Sequence, residues 1–234
     1  MTLTYLVMRL NHMTNTMRPA KAKREMNPDE TRSKILAATD ELFGELGFDA
    51  TTTRDIATRS GINKALIHYH FGTKEELLAV LLDDYYARLT VALGAAMQRN
   101  LDPLGQAEDV LDAYADFLAQ NRTFCCIVQR EVASGRHVEK IVERTLPVFR
   151  LGTTWLGAMS KRPPPGLELE HVLTSIYGIV VTYFTYGRVL HALNGKDPFS
   201  PTALSSRKRH VRCVARLLFR ELQLASKGKE KAKS

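Results

Sequence analysis

Residues 51–74 read TTTRDIATRSGINKALIHYHFGTK, and this stretch holds the side chains best suited to reading another molecule. On a helical wheel of about 100° per residue, Ile62, Leu66 and Ile67 are assigned to a buried arc and Lys64, Ala65, His68 and Tyr69 to the opposite one. That second face offers a cation, a small residue, an imidazole and a phenol. The base edges of a DNA major groove present the complementary acceptors, donors and thymine methyl groups. Catalytic chemistry has no comparable support. His137, His171, His191 and His210 are scattered without metal-ligand spacing, and His68 and His70 lie two residues apart, which on a helix turns the rings away from each other. Neither a nucleophile motif nor a phosphate-cradling glycine loop occurs. The expectation is a protein that is not an enzyme and needs no metal or cofactor.

The elements that would position the reading face are marked by their ends. Thr52 followed by Asp55 is a capping pair for one short helix, Ser60-Gly61 supplies its exit, and a second short helix runs over about 62–69. Thr73 and Glu76 open a third, in which Leu77, Leu78, Leu81, Leu82, Tyr85, Leu89, Leu93 and Ala96 continue for about six turns. Upstream, Asn27-Pro28-Asp29-Glu30 starts a supporting helix whose apolar side is Ile35, Leu36, Thr39, Leu42, Phe43 and Leu46; Gly47 ends it and Phe48 packs back. The pattern is a helix-turn-helix. Helix, glycine, helix also occurs in proteins that never touch nucleic acid, so the spacing alone leaves the reading open.

The chain has 234 residues, 44% hydrophobic and 25% charged, with a net charge of +8. The excess is unevenly placed: 11 basic against 8 acidic residues up to Lys74, 12 against 15 over 75–204, and 10 against 2 over 205–234. Most of it lies far in sequence from the helix-turn-helix, so net charge is poor support for DNA binding. Cys125, Cys126 and Cys213 form neither a CxxC motif nor an even disulfide set, which suits buried thiols in a reducing, cytoplasmic setting. The apolar runs are too short or too interrupted for a signal peptide or a membrane span. Residues 1–26 read as a disordered basic arm, able to follow phosphates or enter a minor groove, and Met13, Met17 and Met26 are alternative starts.

Beyond residue 102 the punctuation predicts helices at 105–120, 122–133, 138–160, 167–193 and 201–224, then a lysine-rich flexible tail over 226–234. The 167–193 segment is apolar nearly all round through Ile176, Val180, Val181, Tyr183 and Phe184, and the last helix carries Val211, Val214, Ala215, Leu218 and Leu222. These two helices from each of two chains suit a four-helix dimer interface.

Several residues carry a resemblance: Phe43, Gly47, the threonines before Ile56-Ala57, Gly61-Ile62, His68-Tyr69-His70-Phe71, and Lys74-Glu75-Glu76-Leu77-Leu78. Over residues 31–78 the sequence closely resembles the DNA-binding head of TetR-family transcriptional regulators. Elsewhere only the helical layout and Asp197-Pro198-Phe199-Ser200-Pro201 agree. The resemblance implies an all-α fold: a three-helix head over 27–74, joined by a long helix to a helical ligand-binding and dimerisation domain over 75–225. It implies Thr53 and Arg54 against phosphate and a base edge, Asn63, Lys64, Ala65, His68 and Tyr69 in or beside the major groove, His70 on the backbone and Lys74 on a phosphate. Where many members carry tyrosine, this chain has His68.

It further implies a homodimer on a palindromic operator, most commonly a repressor released by a small molecule. A family activator and a DNA-binding protein without ligand control are the alternatives. Phe117, Phe124, Trp155, Met159, Tyr177 and Tyr183 are the large side chains that the resemblance would place around an effector cavity. The scarcity of charge in these segments points to an apolar or aromatic ligand.

Overall fold

The computed structural model describes residues 27–99, 102–160 and 163–231, and these form ten helices and no strand. The sequence expectation for the arm at 1–26 lies outside the described residues.

The head contains α1 (Pro28–Leu46), α2 (Thr53–Ser60) and α3 (Lys64–Phe71). α1 begins as its sequence requires: Asn27 accepts from the Asp29 amide, Pro28 occupies the first turn, and Asp29 and Glu30 face the positive end of the helix dipole. Ile35, Ala38, Thr39, Leu42 and Phe43 are buried. Leu46, expected on that face, is exposed, because the helix ends there and Phe48 takes the inward position against Phe43 with ring centroids 5.4 Å apart. Thr51 ties the following loop down by donating to the Gly47 carbonyl at 2.8 Å.

α4 (Lys74–Met97) starts with the expected Thr73/Glu76 capping box and spans about 36 Å at 1.5 Å per residue. Its buried row, Leu77 through Ala96, packs against the head at one end and the larger bundle at the other.

The bundle consists of α5 (Pro103–Gln120), α6 (Arg122–Ser134), α7 (Val138–Met159), α8 (Leu169–Thr185), α9 (Gly187–Asn194) and α10 (Pro201–Lys231). An antiparallel ladder locks α5 to α10: Asp116 pairs with Lys208 at 2.8 Å, Asp112 with Arg212 at 2.9 Å, and Glu108 with Arg216. The i, i+4 spacing on both helices aligns three carboxylates with three cations. Part of the basic excess of the C-terminal region is thereby spent inside the chain.

Three expectations are corrected. The helix predicted over 167–193 is two helices, broken at Tyr186, where Gly187 leaves no room for a side chain because the Phe199 ring occupies that space. The last helix continues to Lys231, so the backbone of the lysine-rich segment is helical up to that residue. Ile176, Val180, Val181, Phe184, Val211, Ala215 and Leu222, offered as surface for a second subunit, are buried within one chain. Among the described residues, large apolar or aromatic side chains left open on this side include Tyr186, Val189, Leu193 and Leu217.

Candidate nucleic-acid interface and internal cavity

α2 begins with a complete capping box: the Asp55 amide donates to Thr52 Oγ1 at 3.2 Å and the Thr52 amide donates to Asp55 Oδ2 at 2.9 Å. The hydrogen bonds from the Thr52 hydroxyl and amide hold the Asp55 carboxyl below the usual carboxylate range. Gly61, at φ 69°, makes the left-handed exit that allows α3 to start three residues later. Asn63 caps α3, its Oδ1 accepting from the Ala65 amide at 2.9 Å. That carbonyl is occupied, and the Asn63 NH2 group is what remains for a phosphate.

The helix therefore begins at Lys64, and this corrects the wheel. Ile62 precedes the helix and is buried from the turn, while the inward helical positions are Ile67 and Phe71. Leu66 lies about 100° from Ile67, and it is exposed at 43%, beside Ala65 and Tyr69. Leu66 leaves the buried arc and joins the exposed face of α3. Tyr69 on the same face is 82% exposed.

Other candidates divide by availability. Thr53 is half-buried at the first turn of α2, whose unsatisfied amides suit a phosphate. Arg54 and Lys64 are exposed and have no ion-pair partner among the described residues. Arg59, by contrast, pairs with Glu41 at 2.9 Å and Glu45 at 3.2 Å on α1. His68 places Nδ1 2.9 Å from the Gly72 carbonyl, which engages one ring nitrogen at the end of α3 while the residue stays exposed. His70 is half-buried, its ring edge-on to Tyr69 at 5.2 Å.

Lys74 departs from its expected phosphate role. Its ammonium donates to the carbonyls of Phe48 at 2.8 Å and Thr51 at 2.9 Å and lies 4.2 Å from the centre of the Phe48 ring. It clamps the start of α4 to the loop between α1 and α2. A lysine just before two glutamates on a helix start looks solvent-facing in sequence, and only the return of Phe48 beneath it shows otherwise.

The second feature is a cavity of about 150 Å³ inside the bundle. Of the proposed lining residues, Phe124, Trp155 and Tyr177 face it. Phe117 is displaced by one layer, its ring edge-on behind Phe124 at 5.8 Å. Tyr183 is turned toward the loop before α10, donating its hydroxyl to the Pro198 carbonyl at 2.6 Å. The side chain of Met159 lies outside the described residues.

The wall includes residues that sequence reasoning missed, among them Tyr86, Tyr114, Gln129, Thr145, Phe149 and Phe219. Tyr86, Leu89 and Leu93 on α4 and Leu111, Tyr114 and Leu118 on α5 follow helical spacing, a signal shared with ordinary core. Among the described lining residues none is an acid, a base or a histidine. Burial, and then the neighbouring Cys126, pushes the Cys125 thiol up to about 12, so it lines the wall as a neutral group.

Head and cavity share two helices. On α6, Phe124, Cys125, Val128 and Gln129 face the cavity, while Thr123 donates to Asp40 of α1 at 2.9 Å and Arg130 donates to the Phe43 carbonyl at 3.3 Å. On α4, Tyr86 lines the cavity, while its neighbour Tyr85 bonds Asp40 and approaches Thr123 Oγ1 at 2.8 Å. The Tyr85 ring lies 4.8 Å from that of Phe124. Beyond α6, Arg136 pairs with Asp49 and His137 meets Phe48 edge-on at 4.6 Å. A displacement of Phe124 therefore has a short packed route to α1.

Head, connecting helix and hollow bundle together define a class: a helix-turn-helix protein, helical throughout its described elements, with an apolar chamber behind its head. Comparison with known proteins narrows it. Residues 35–81 match the model of the bacterial regulatory proteins of the tetR family. The HTH-type transcriptional repressor Rv3405c of Mycobacterium tuberculosis is 40% identical over 108 residues, covering 42% of this chain and 57% of that protein. The HTH-type transcriptional activator FasR of Mycolicibacterium smegmatis is 30% identical over 104 residues, 43% of this chain and 48% of that protein. The matches thus span about half the length of these relatives.

Among solved structures, the ketosteroid transcriptional regulator KstR2 of M. tuberculosis aligns over 79% of this chain and 92% of its own, at TM-score 0.62 and 22% identity. The fatty acid degradation regulator FadR from Bacillus halodurans aligns over 84% and 97%, at TM-score 0.66 and 18% identity. These two share the fold. The head of this chain is thus similar in sequence to that of the tetR family of bacterial regulatory proteins.

Proposed function

We propose that this chain is a sequence-specific, DNA-binding transcriptional regulator of the cytoplasm, acting as a homodimer on a palindromic operator. The observation that carries this reading is the outer face of α3: Tyr69, Leu66 and Ala65 open to solvent beside Lys64, with Arg54 exposed at the start of α2. A helix of this kind is laid in the major groove, where its side chains reach base edges. Asn63, His68 and His70 flank that face, and Thr53 offers a phosphate site at the α2 N-terminus. The open apolar side chains Val189, Leu193 and Leu217 on α9 and α10 are the surface through which two copies would associate.

Control by a small molecule is the form of regulation favoured by the cavity. An apolar or aromatic effector lodged against Phe124 would bear on α6, and through Thr123 and Tyr85 on Asp40 of α1. To take the operator from nearly full to nearly empty, the effector must prefer the non-binding arrangement by ~5 kcal/mol. Repression released by the effector is the arrangement we favour. Matched relatives include both a repressor and an activator.

The test is selection of bound fragments from the source genome by the purified protein. The expected result is enrichment of one palindromic sequence, bound ~10³-fold or more tightly than unrelated DNA at physiological salt. Uniform recovery of fragments would refute sequence-specific regulation. An enriched operator whose occupancy no small molecule alters would leave a DNA-binding protein without ligand control.

A further inference from the structure

The wall of the cavity specifies more than an apolar ligand. Its polar atoms are three phenols, a threonine, two side-chain amide or indole groups and a thiol, with no ionisable acid or base among the described lining residues. Most of these groups already have partners. The Tyr86 hydroxyl bonds Thr145 Oγ1 at 2.6 Å, Gln129 donates to the Tyr177 hydroxyl at 3.3 Å, and the Trp155 indole donates to Gln106 at 2.9 Å. Tyr114 is different. It is half-buried, lines the cavity, and its hydroxyl has no hydrogen-bond partner among the described residues. Burial drives this phenol well above its ordinary pKa, so it remains a neutral donor. The same chamber continues past Leu89, Leu93, Leu111, Trp155 and Phe219, where the wall is hydrocarbon and ring.

We propose that the cavity takes an uncharged, mainly hydrocarbon amphiphile whose single hydroxyl or carbonyl oxygen accepts a hydrogen bond from Tyr114. This rests on the cavity being the effector site of the regulator. A carboxylate or ammonium group entering it would leave water without meeting an opposite charge, a loss of about a hundredfold or more in affinity. A neutral oxygen gives the Tyr114 hydroxyl the partner it lacks, and the alkyl remainder is covered by the apolar wall.

The experiment is free of DNA, so it can fail independently of operator recognition. Trp155 is the only tryptophan of the chain and borders the cavity, so its emission reports occupancy directly. Full-length protein is titrated with 1-decanol, decanoate and decyltrimethylammonium at neutral pH, and with butylbenzene as a probe lacking any acceptor oxygen. Decanol should shift the emission saturably, with decanoate and the ammonium probe weaker by about a hundredfold. Tyr114→Phe should weaken decanol roughly five- to tenfold and leave butylbenzene unchanged, which also shows that the variant keeps its cavity. Decanoate or the ammonium probe binding as tightly as decanol overturns the proposal. So does an unaltered decanol affinity in Tyr114→Phe, or the failure of all four probes to bind.

Discussion

Replacing Leu66 by alanine should remove a preference for thymine at one position of each operator half-site. Leu66 stands on the outer face of α3 with 43% of its surface open, between Ala65 and Tyr69. The only base feature that rewards an aliphatic side chain in the major groove is the thymine methyl. At about 25 cal/mol per Å², covering all of the remaining Leu66 surface would contribute about 2 kcal/mol. One methyl group covers part of it, so the expected coupling is about 1 kcal/mol, roughly fivefold in Kd. The assay uses the selected operator with each thymine replaced in turn by deoxyuridine, which deletes only the methyl, and measures affinity by fluorescence anisotropy at fixed salt. Wild-type protein should lose roughly fivefold at one symmetric pair of positions, and Leu66→Ala should lose nothing further there. If Leu66→Ala responds to uracil as wild type does, the double-mutant cycle closes at zero coupling and the outward placement of Leu66 has no role in reading.

Three further outcomes follow from other contacts. Tyr85→Phe removes a hydroxyl shared with Asp40 and Thr123 at the junction of head and bundle, and should cost about 1 to 3 kcal/mol of stability, seen in denaturant unfolding; a smaller change in effector-induced release than in stability would argue against this junction as the route of coupling. Lys74→Met breaks two hydrogen bonds to the Phe48 and Thr51 carbonyls. It should lower the melting temperature while leaving the salt dependence of DNA binding unchanged, whereas a fall of about one in the slope of log K against log salt would place its ammonium on a phosphate. Glu76 lies below the usual carboxylate range through hydrogen bonds from the Thr73 amide and then its hydroxyl. A depressed carboxylate stabilises above its unfolded pKa and loses that contribution as pH falls through the folded value; the melting-temperature gap between wild type and Glu76→Gln should therefore close on acidification, and a gap that is constant down to pH 3 contradicts the capping assignment.

Much of the head was legible because its signals are local. Thr52 with Asp55, Thr73 with Glu76, and Gly61 each act within four residues, and all three sit where the sequence puts them. The same holds for Lys64, Ala65 and Tyr69, whose exposure depends only on helical phase. The wheel misplaced Leu66 because it counted Ile62 as helical, although Asn63 caps the helix after it. Long-range packing was illegible for a physical reason. Whether an apolar residue such as Tyr183 faces a chamber or a loop depends on the opposite helix, and Pro198 decides that case. Lys74 shows the same limit for a charged residue: its partners lie 26 and 23 positions away in sequence. The break at Tyr186 lies beside Gly187, whose side-chain space the Phe199 ring fills, a contact that no periodicity within 167–193 contains.

The central claim is that the outer face of α3 reads DNA. It is tested most directly by the affinity of the Lys64→Ala/Tyr69→Ala double variant for the selected operator, alongside wild type and unrelated DNA, with the oligomeric state measured on the same samples. Each lost contact should cost ~1 to 3 kcal/mol, bringing operator affinity close to that for unrelated DNA while the assembly stays intact. Wild-type affinity in the folded, correctly assembled double variant would contradict the account.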